Sequence, residues 1–276
     1  MANDFYSTGT AADIPSLLAA LQTFLDGANW SPTEWIGDFT ADGDYIVYSS
    51  PGSTTAYIQV VVAGVVTQLK FHAWEGWTNG VSGDPGVPGA GVGTDLTSAQ
   101  SYVELLGAFP YWFFANEDRV IVVLRYGAAD TDFYVAYAGL ISTGDDILDT
   151  YPVLVCGHTP DKLTLQATGP VMVGTDGAIR RYPDLTYYVE DIAAADQPAL
   201  SEAQPNVRGA VTKNVMLPAI VVCPELGFTE IRGQMQGLYF CRPGLSTLET
   251  LEYDSDYYLI IKTTDVRYAI AIGPVV

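Results

Sequence analysis

The chain has 276 residues, 49% of them hydrophobic, which is enough for a packed core in one large domain or two modest ones. Its formal net charge is -20 and its pI about 4.1, so its surface repels nucleic acid and anionic lipid. Two histidines and three widely spaced cysteines (Cys156, Cys223, Cys241) exclude a disulfide scaffold and a C-x-x-C metal knuckle, and read as free thiols of a reducing cytoplasm.

The start, Met1 to Thr10, has neither the basic nor the apolar segment of a signal peptide. No run approaches the ~20 apolar residues of a membrane span. Asp13 to Asp26 predicts a helix, because Ile14, Leu17, Leu18, Leu21, Phe24 and Leu25 recur on one face. Asp13 suits the N-cap, Pro15 the first turn, and Gly27 the position beyond the end. Trp30 to Ile36, with Pro32, reads as loop. Thr40 to Tyr48 reads as a hairpin around Ala41-Asp-Gly-Asp44. Asp38, Thr40, Asp42 and Asp44 imitate the start of a calcium loop, but Ser49 stands where its bidentate Glu belongs, so a tight turn is expected.

Tyr57 to Ala63 and Val65 to Trp74 read as strands. In the second, Leu69, Phe71 and Ala73 alternate with Gln68, Lys70, His72 and Trp74, which predicts a half-exposed sheet. Outward parity makes Trp74, with Trp77 just beyond, a candidate subunit contact. Gly80 to Asp95 is an uncharged Gly/Pro loop without the Gly-Lys-Ser/Thr ending of a phosphate loop; an arm that orders on a neighbouring chain, marked by Gly80 and Gly93, is expected.

Leu105 to Leu140 is the stretch that organises the rest. Phe109, Tyr111, Trp112, Phe113 and Phe114 form an aromatic run, followed by a turn at Ala115 to Asp118 and an apolar strand from Arg119 to Arg125. A second turn leads into Phe133 to Ala138, completing a meander. Val120 to Leu124 is apolar throughout, so both faces should be covered. Beyond it, Asp145, Asp146 and Asp149 read as a solvated loop, and Asp191 to Gln204 as a long connection between a main domain over 1–190 and a C-terminal β region over 211–276. That last region either completes the same domain or forms a small second one.

The run Pro110-Tyr-Trp-Phe-Phe-Ala-Asn116, the valines behind it, Tyr151-Pro-Val-Leu-Val-Cys-Gly157 and Gly233-Gln-Met-Gln-Gly-Leu-Tyr239 together resemble a family of structural proteins of tailed-bacteriophage virions. Those proteins carry a Pro-Tyr-Trp-Phe-Val-Ala-Asn stretch, a later Tyr-Pro-hydrophobic-Gly stretch and a Gly-x-x-x-Gly-Val-Tyr segment. Phe114 here replaces the family's Val, Leu238 replaces the Val before Tyr, and Thr159 to Lys213 departs from the pattern. The resemblance implies a virion location after synthesis in the host cytoplasm, and assembly with copies of itself and other particle proteins. It implies no reaction.

The residues agree with that. There is no Gly-x-Ser-x-Gly elbow, His-Glu-x-x-His or dinucleotide fingerprint, and His158 has no evident Ser and Asp partners. With 32 acidic residues, a pair of carboxylates at glycosidase spacing is uninformative. The fold expected is mainly β, a sandwich or paired antiparallel sheets with one N-terminal amphipathic helix and long loops. No enzyme activity, cofactor, metal, nucleic acid or membrane partner is expected. The subunit is placed in the tail, baseplate or neck, with Trp74, Trp77, Tyr111, Trp112, Gly80 and Gly93 as candidate interface residues. A carbohydrate-binding or carbohydrate-cleaving receptor module and a capsid decoration protein are the alternatives.

Overall fold

The computed structural model describes residues 5–63, 68–74, 77, 107–142, 153–158, 163–164, 171–173, 179–181, 188–189, 216–225, 228–241, 245–253, 256–262 and 267–274. Those residues are mainly β with one helix, as the sequence predicts. The helix α1 (Ile14–Gly27) opens with a reciprocal cap. The Asp13 carboxylate accepts from the Ser16 N–H at 2.9 Å, and the Ser16 hydroxyl oxygen accepts from the Asp13 N–H at 3.1 Å. Pro15 sits in the first turn, where its missing N–H costs nothing. The expected stop differs by two residues. Gly27 is still helical, and Asn29, with φ 63, supplies the left-handed residue behind the Ala28 cap.

A four-stranded antiparallel sheet follows, in the order β2 (Ser31–Ile36), β3 (Tyr45–Ser49), β4 (Tyr57–Ala63) and β5 (Gln68–Trp74). Ser31–Ile36 is therefore a strand and not a loop. Pro32 is tolerated because β2 is an edge, with a bulge between Pro32 and Glu34. The acidic turn lies where expected, but its first arm is β2, so the hairpin is wider than Thr40 to Tyr48.

The larger sheet holds the meander β6 (Phe109–Ala115), β7 (Arg119–Arg125) and β8 (Phe133–Ser142), flanked by β1 (Phe5–Ala11). Past β8 come β9 (Val153–His158), β10 (Leu163–Thr164), β13 (Tyr188–Val189), β14 (Met216–Glu225), β15 (Phe228–Cys241), β18 (Arg267–Pro274), β17 (Asp256–Lys262) and β16 (Thr250–Tyr253). A short hairpin, β11 (Val171–Val173) with β12 (Ile179–Arg181), stands apart. β15 also pairs directly with β8 through Gln234↔Ser142 and Met235↔Ile141, so the hydrogen-bonded path from β8 through β14 returns on itself. The strands after residue 211 are thus bonded into the same sheet as the meander.

The meander is the middle layer. Val120, Val122 and Leu124 face a core built from α1 and the four-stranded sheet. Ile121 and Val123 face a second core with Met235, Leu238, Leu259, Ile261, Tyr268 and Ile270. No residue from Val120 to Leu124 exceeds 4% exposure, which is why the strand reads as apolar at every position. Each such side chain contributes roughly 1.5–3 kcal/mol by leaving water.

Candidate functional site

Trp112 is not a surface contact. It belongs to the second core at 8% exposure, tilted against Phe133 at 5.6 Å. Its strand is covered on both faces, so strand parity could not place it outside. Tyr111 is half-buried, stacked on Phe113 at 4.4 Å and lying over Gly9, where a Cβ would stand 2.5 Å from the phenol oxygen. Trp77 is half-buried and held by its own chain: its Nε1 donates to Glu34 Oε2 at 2.7 Å and its ring meets Tyr45 edge-on. Trp74 closes β5 opposite Tyr57, but its side chain, like Gly80, Gly93, the Gly80–Asp95 loop, Asp145, Asp146, Asp149 and Asp191–Gln204, lies outside the described residues. The same holds for the side chains of His72, Ala73, Cys156, His158 and Cys223.

The acidic turn uses its carboxylates internally. Asp38 accepts from the N–H and the hydroxyl of Thr40, which hold its carboxyl below the usual range. Asp44 accepts from the Ala41 N–H at 3.1 Å. Among the described residues no group of three His, Cys, Asp or Glu is placed to hold a metal ion.

Among the described residues the aromatics that reach solvent are Tyr126, in the turn after β7, and those of two strand edges. β1 is one end of the large sheet and pairs with β6 in unbroken register from Phe5↔Ala115 to Ala11↔Phe109. Phe5 and Tyr6 are 38% and 37% exposed. Tyr6 packs on Phe114 at 5.2 Å, and burial raises its phenol pKa, opposed by the hydroxyl of Thr8. The Thr8 hydroxyl donates to the Tyr111 carbonyl, fixing the strand to its neighbour. Among the described residues nothing pairs with the outer edge of β1, and the strand carries no charge and no proline. Natural edges normally carry such features to block further pairing.

β2 is the second edge. Trp35 is 49% and Ile36 40% exposed. Trp35 is nevertheless anchored: it stacks on Phe39 at 5.3 Å with planes 12° apart, and its Nε1 donates to the Gly37 carbonyl. Phe39 is buried with φ 67, a conformation a bulky residue adopts only when packing compels it.

Neither edge was legible as a contact. β1 had a signal, the β-formers Phe5, Tyr6, Thr8 and Thr10, interrupted by Gly9. β2 was masked by Pro32.

No protein-family model and no curated protein matches the chain.

Two stretches singled out in the sequence, 110–116 and 233–239, meet at the β6–β7 turn. Asn116 Nδ2 donates to Gln236 Oε1 at 3.1 Å, and Gln236 Nε2 donates to Asp118 Oδ2 at 3.3 Å. Asn116 Oδ1 accepts from the N–H groups of Asp118 and Arg119, each at 2.9 Å. The buried Trp30 donates from Nε1 to the Asn116 carbonyl at 2.8 Å. Tyr137 accepts from the Gln236 N–H and donates to the Leu140 carbonyl. Arg119 is fully buried here, against Gly237 on one side and Gly139 on the other. This arrangement locks layers together.

Proposed function

We propose that this chain is a structural subunit of a tailed-phage virion, in the tail, baseplate or neck, acting by assembly with copies of itself and other particle proteins. Two things support the reading. Two of the stretches that carry the sequence resemblance, 110–116 and 233–239, include Asn116 and Gln236, which tie the layers together as a building block requires. The observation that carries the assembly role is β1, an uncharged, proline-free strand with exposed Phe5 and Tyr6 and an outer edge that no described residue pairs with. Such an edge receives a strand from another chain through main-chain hydrogen bonds, with aromatics adding contact area. The role needs no cofactor, metal or bound nucleic acid.

The test is direct. Particles purified from cells infected with the phage that encodes the chain are analysed by quantitative mass spectrometry and by immunogold labelling with an antibody to it. A fixed, integral stoichiometry and label confined to the tail, baseplate or neck are expected. Particles that lack the chain overturn the proposal, and label spread over the capsid shell moves the role to decoration.

A further inference from the structure

The chain carries only 12 lysines and arginines against 32 acidic residues. Four of those cations have described side chains: Arg119, Arg125, Lys262 and Arg267. Arg119 is buried in the turn network. The other three line one open cleft of about 360 Å³, together with Leu245, Ser246, Thr247, Leu248 and Asp130. Among the described residues of a chain of net charge -20, three cations facing one carboxylate form a local reversal of sign.

The fold brings them together from two hairpin ends. Arg125 is the last residue of β7, Lys262 the last of β17 and Arg267 the first of β18. Lys262 and Arg267 are direct cross-strand partners. Like charges directly opposite on neighbouring strands destabilise a sheet. A local rule broken this way marks a site where something else compensates.

The cleft is also held in shape. Arg125 donates from a guanidinium nitrogen to the Ala128 carbonyl at 2.7 Å and lies over the Phe133 ring at 5.7 Å. Its Nε is buried without a hydrogen-bond acceptor, and its approach to Asp130, 81% exposed, is 3.7 Å. Arg267 donates from Nε to the Leu245 carbonyl at 3.3 Å. Thr247 accepts from the Lys262 N–H, and Glu249 is engaged by the Ser246 N–H.

We propose that this cleft is an anion site that takes a single carboxylate group, bound between Arg125, Lys262 and Arg267. The charge selects the ligand. A polyanion such as nucleic acid meets the surrounding acidic surface and is repelled, whereas one carboxylate enters alone and receives charge-assisted hydrogen bonds. The inference stands independently of particle membership. Two sources share this chemistry: a free small carboxylate, and an aspartate or glutamate side chain on a second copy of this acidic chain.

The experiment titrates the isotope-labelled chain with N-acetylaspartate amide, following backbone amide shifts by NMR, with neutral N-acetylasparagine amide as the control. Saturable shifts at residues 245–248 and 262 are expected for the acid and not for the amide. Lys262→Gln should weaken the binding roughly tenfold, the loss of one charge-assisted contact, while Lys262→Arg keeps it. Lys262 is half-exposed at a strand end, and matched thermal unfolding of both variants separates binding from folding. Equal binding of acid and amide, or an unchanged affinity in Lys262→Gln, overturns the proposal. Sedimentation velocity at low and high salt then assigns the source. Salt-sensitive self-association lost in Lys262→Gln identifies a second copy, and a monomer at both salts identifies a free carboxylate.

Discussion

Asn116 and Gln236 are 120 residues apart and share a hydrogen bond of 3.1 Å that ties the β6–β7 turn to β15. Through the Asn116 main-chain carbonyl the same turn is fastened to Trp30, just beyond α1, so one residue, by its carbonyl and its side-chain amide, connects the layers. Replacing Asn116 by Ala removes its three side-chain bonds and leaves the Asp118 and Arg119 N–H groups without their acceptor. A loss of about 2 kcal/mol is expected. For a chain of this size that lowers Tm by roughly 4–8 °C, read by calorimetry with circular dichroism unchanged at 20 °C. Gln236→Ala should cost less, and the double variant should fall short of the sum by more than about 0.5 kcal/mol. Strict additivity would mean that the two side chains are not coupled.

Arg119 is enclosed by two glycines with positive φ, Gly139 at 141 and Gly237 at 67. A methyl group at Gly237 collides with the guanidinium, and one at Gly139 with the Arg119 main chain. Gly237→Ala is expected to destabilise by more than about 2 kcal/mol, because left-handed strain adds to displacement of a buried side chain. Gly27→Ala is the opposite case. That glycine lies in the helix, and a methyl group added to it meets nothing within 4 Å, so about 0.5–1 kcal/mol of added stability is expected. Denaturant midpoints at constant m-value distinguish the two.

Asp13 gives a pH-dependent term of known sign. The hydrogen bonds it accepts from Ser16 hold its carboxyl below the ordinary 3.8, so its contribution is full above that value and is lost as pH falls through the lower folded one. Asp13→Ala should therefore cost about 1 kcal/mol at neutral pH. The gap in Tm between variant and native chain should close under acid. A gap that persists unchanged at low pH would show that the carboxylate is not the stabilising form.

Cys241 is buried, and burial pushes its thiol up to about 12 from 9.0, partly offset by the Arg267 charge. The thiol is thus protonated in the folded chain across the physiological range, and only its thiolate reacts. In a Cys156→Ser/Cys223→Ser background, alkylation of Cys241 at pH 8 should proceed at the rate of global unfolding and accelerate with denaturant. Since the folded value is the raised one, its stabilising contribution is present below 9.0 and is lost as pH climbs toward about 12. Fast labelling without denaturant would contradict the burial.

What the sequence revealed follows the range of each interaction. Ile14 to Leu25 repeats every three to four residues, and Val120 to Leu124 is apolar without a break, so the helix and the central strand were legible from neighbours alone. Ser31–Ile36 was hidden because Pro32 is a breaker everywhere except on an edge, and being an edge is a property of the sheet. Trp112 misled for a related reason: aromatic runs look like contact surfaces until a second layer is known to cover them. The Asn116–Gln236 bond and the pairing of Lys262 with Arg267 depend on register, and a one-residue slip would separate both.

For the proposed assembly role, the outer edge of β1, which no described residue pairs with, gives the sharpest handle. Phe5 sits at the outer end of the strand at 38% exposure and is not part of either large core. A lysine there leaves the folded chain intact, because Phe5 lies at the strand end outside both large cores, but it places a charge on a strand that has none. Phe5→Lys should destabilise by no more than about 1 kcal/mol, the loss of a partly covered ring, and so remain folded at 25 °C. Incorporation into particles should nevertheless fall, measured by complementing a phage deleted for the gene and counting infectious progeny. Trp35→Ala, on the β2 edge, is the parallel variant: it removes a half-exposed ring from a stack with Phe39. If β1 is the strand that receives a neighbour, Phe5→Lys reduces progeny by far more than Trp35→Ala. Equal progeny from Phe5→Lys and the native chain would remove β1 from the interface.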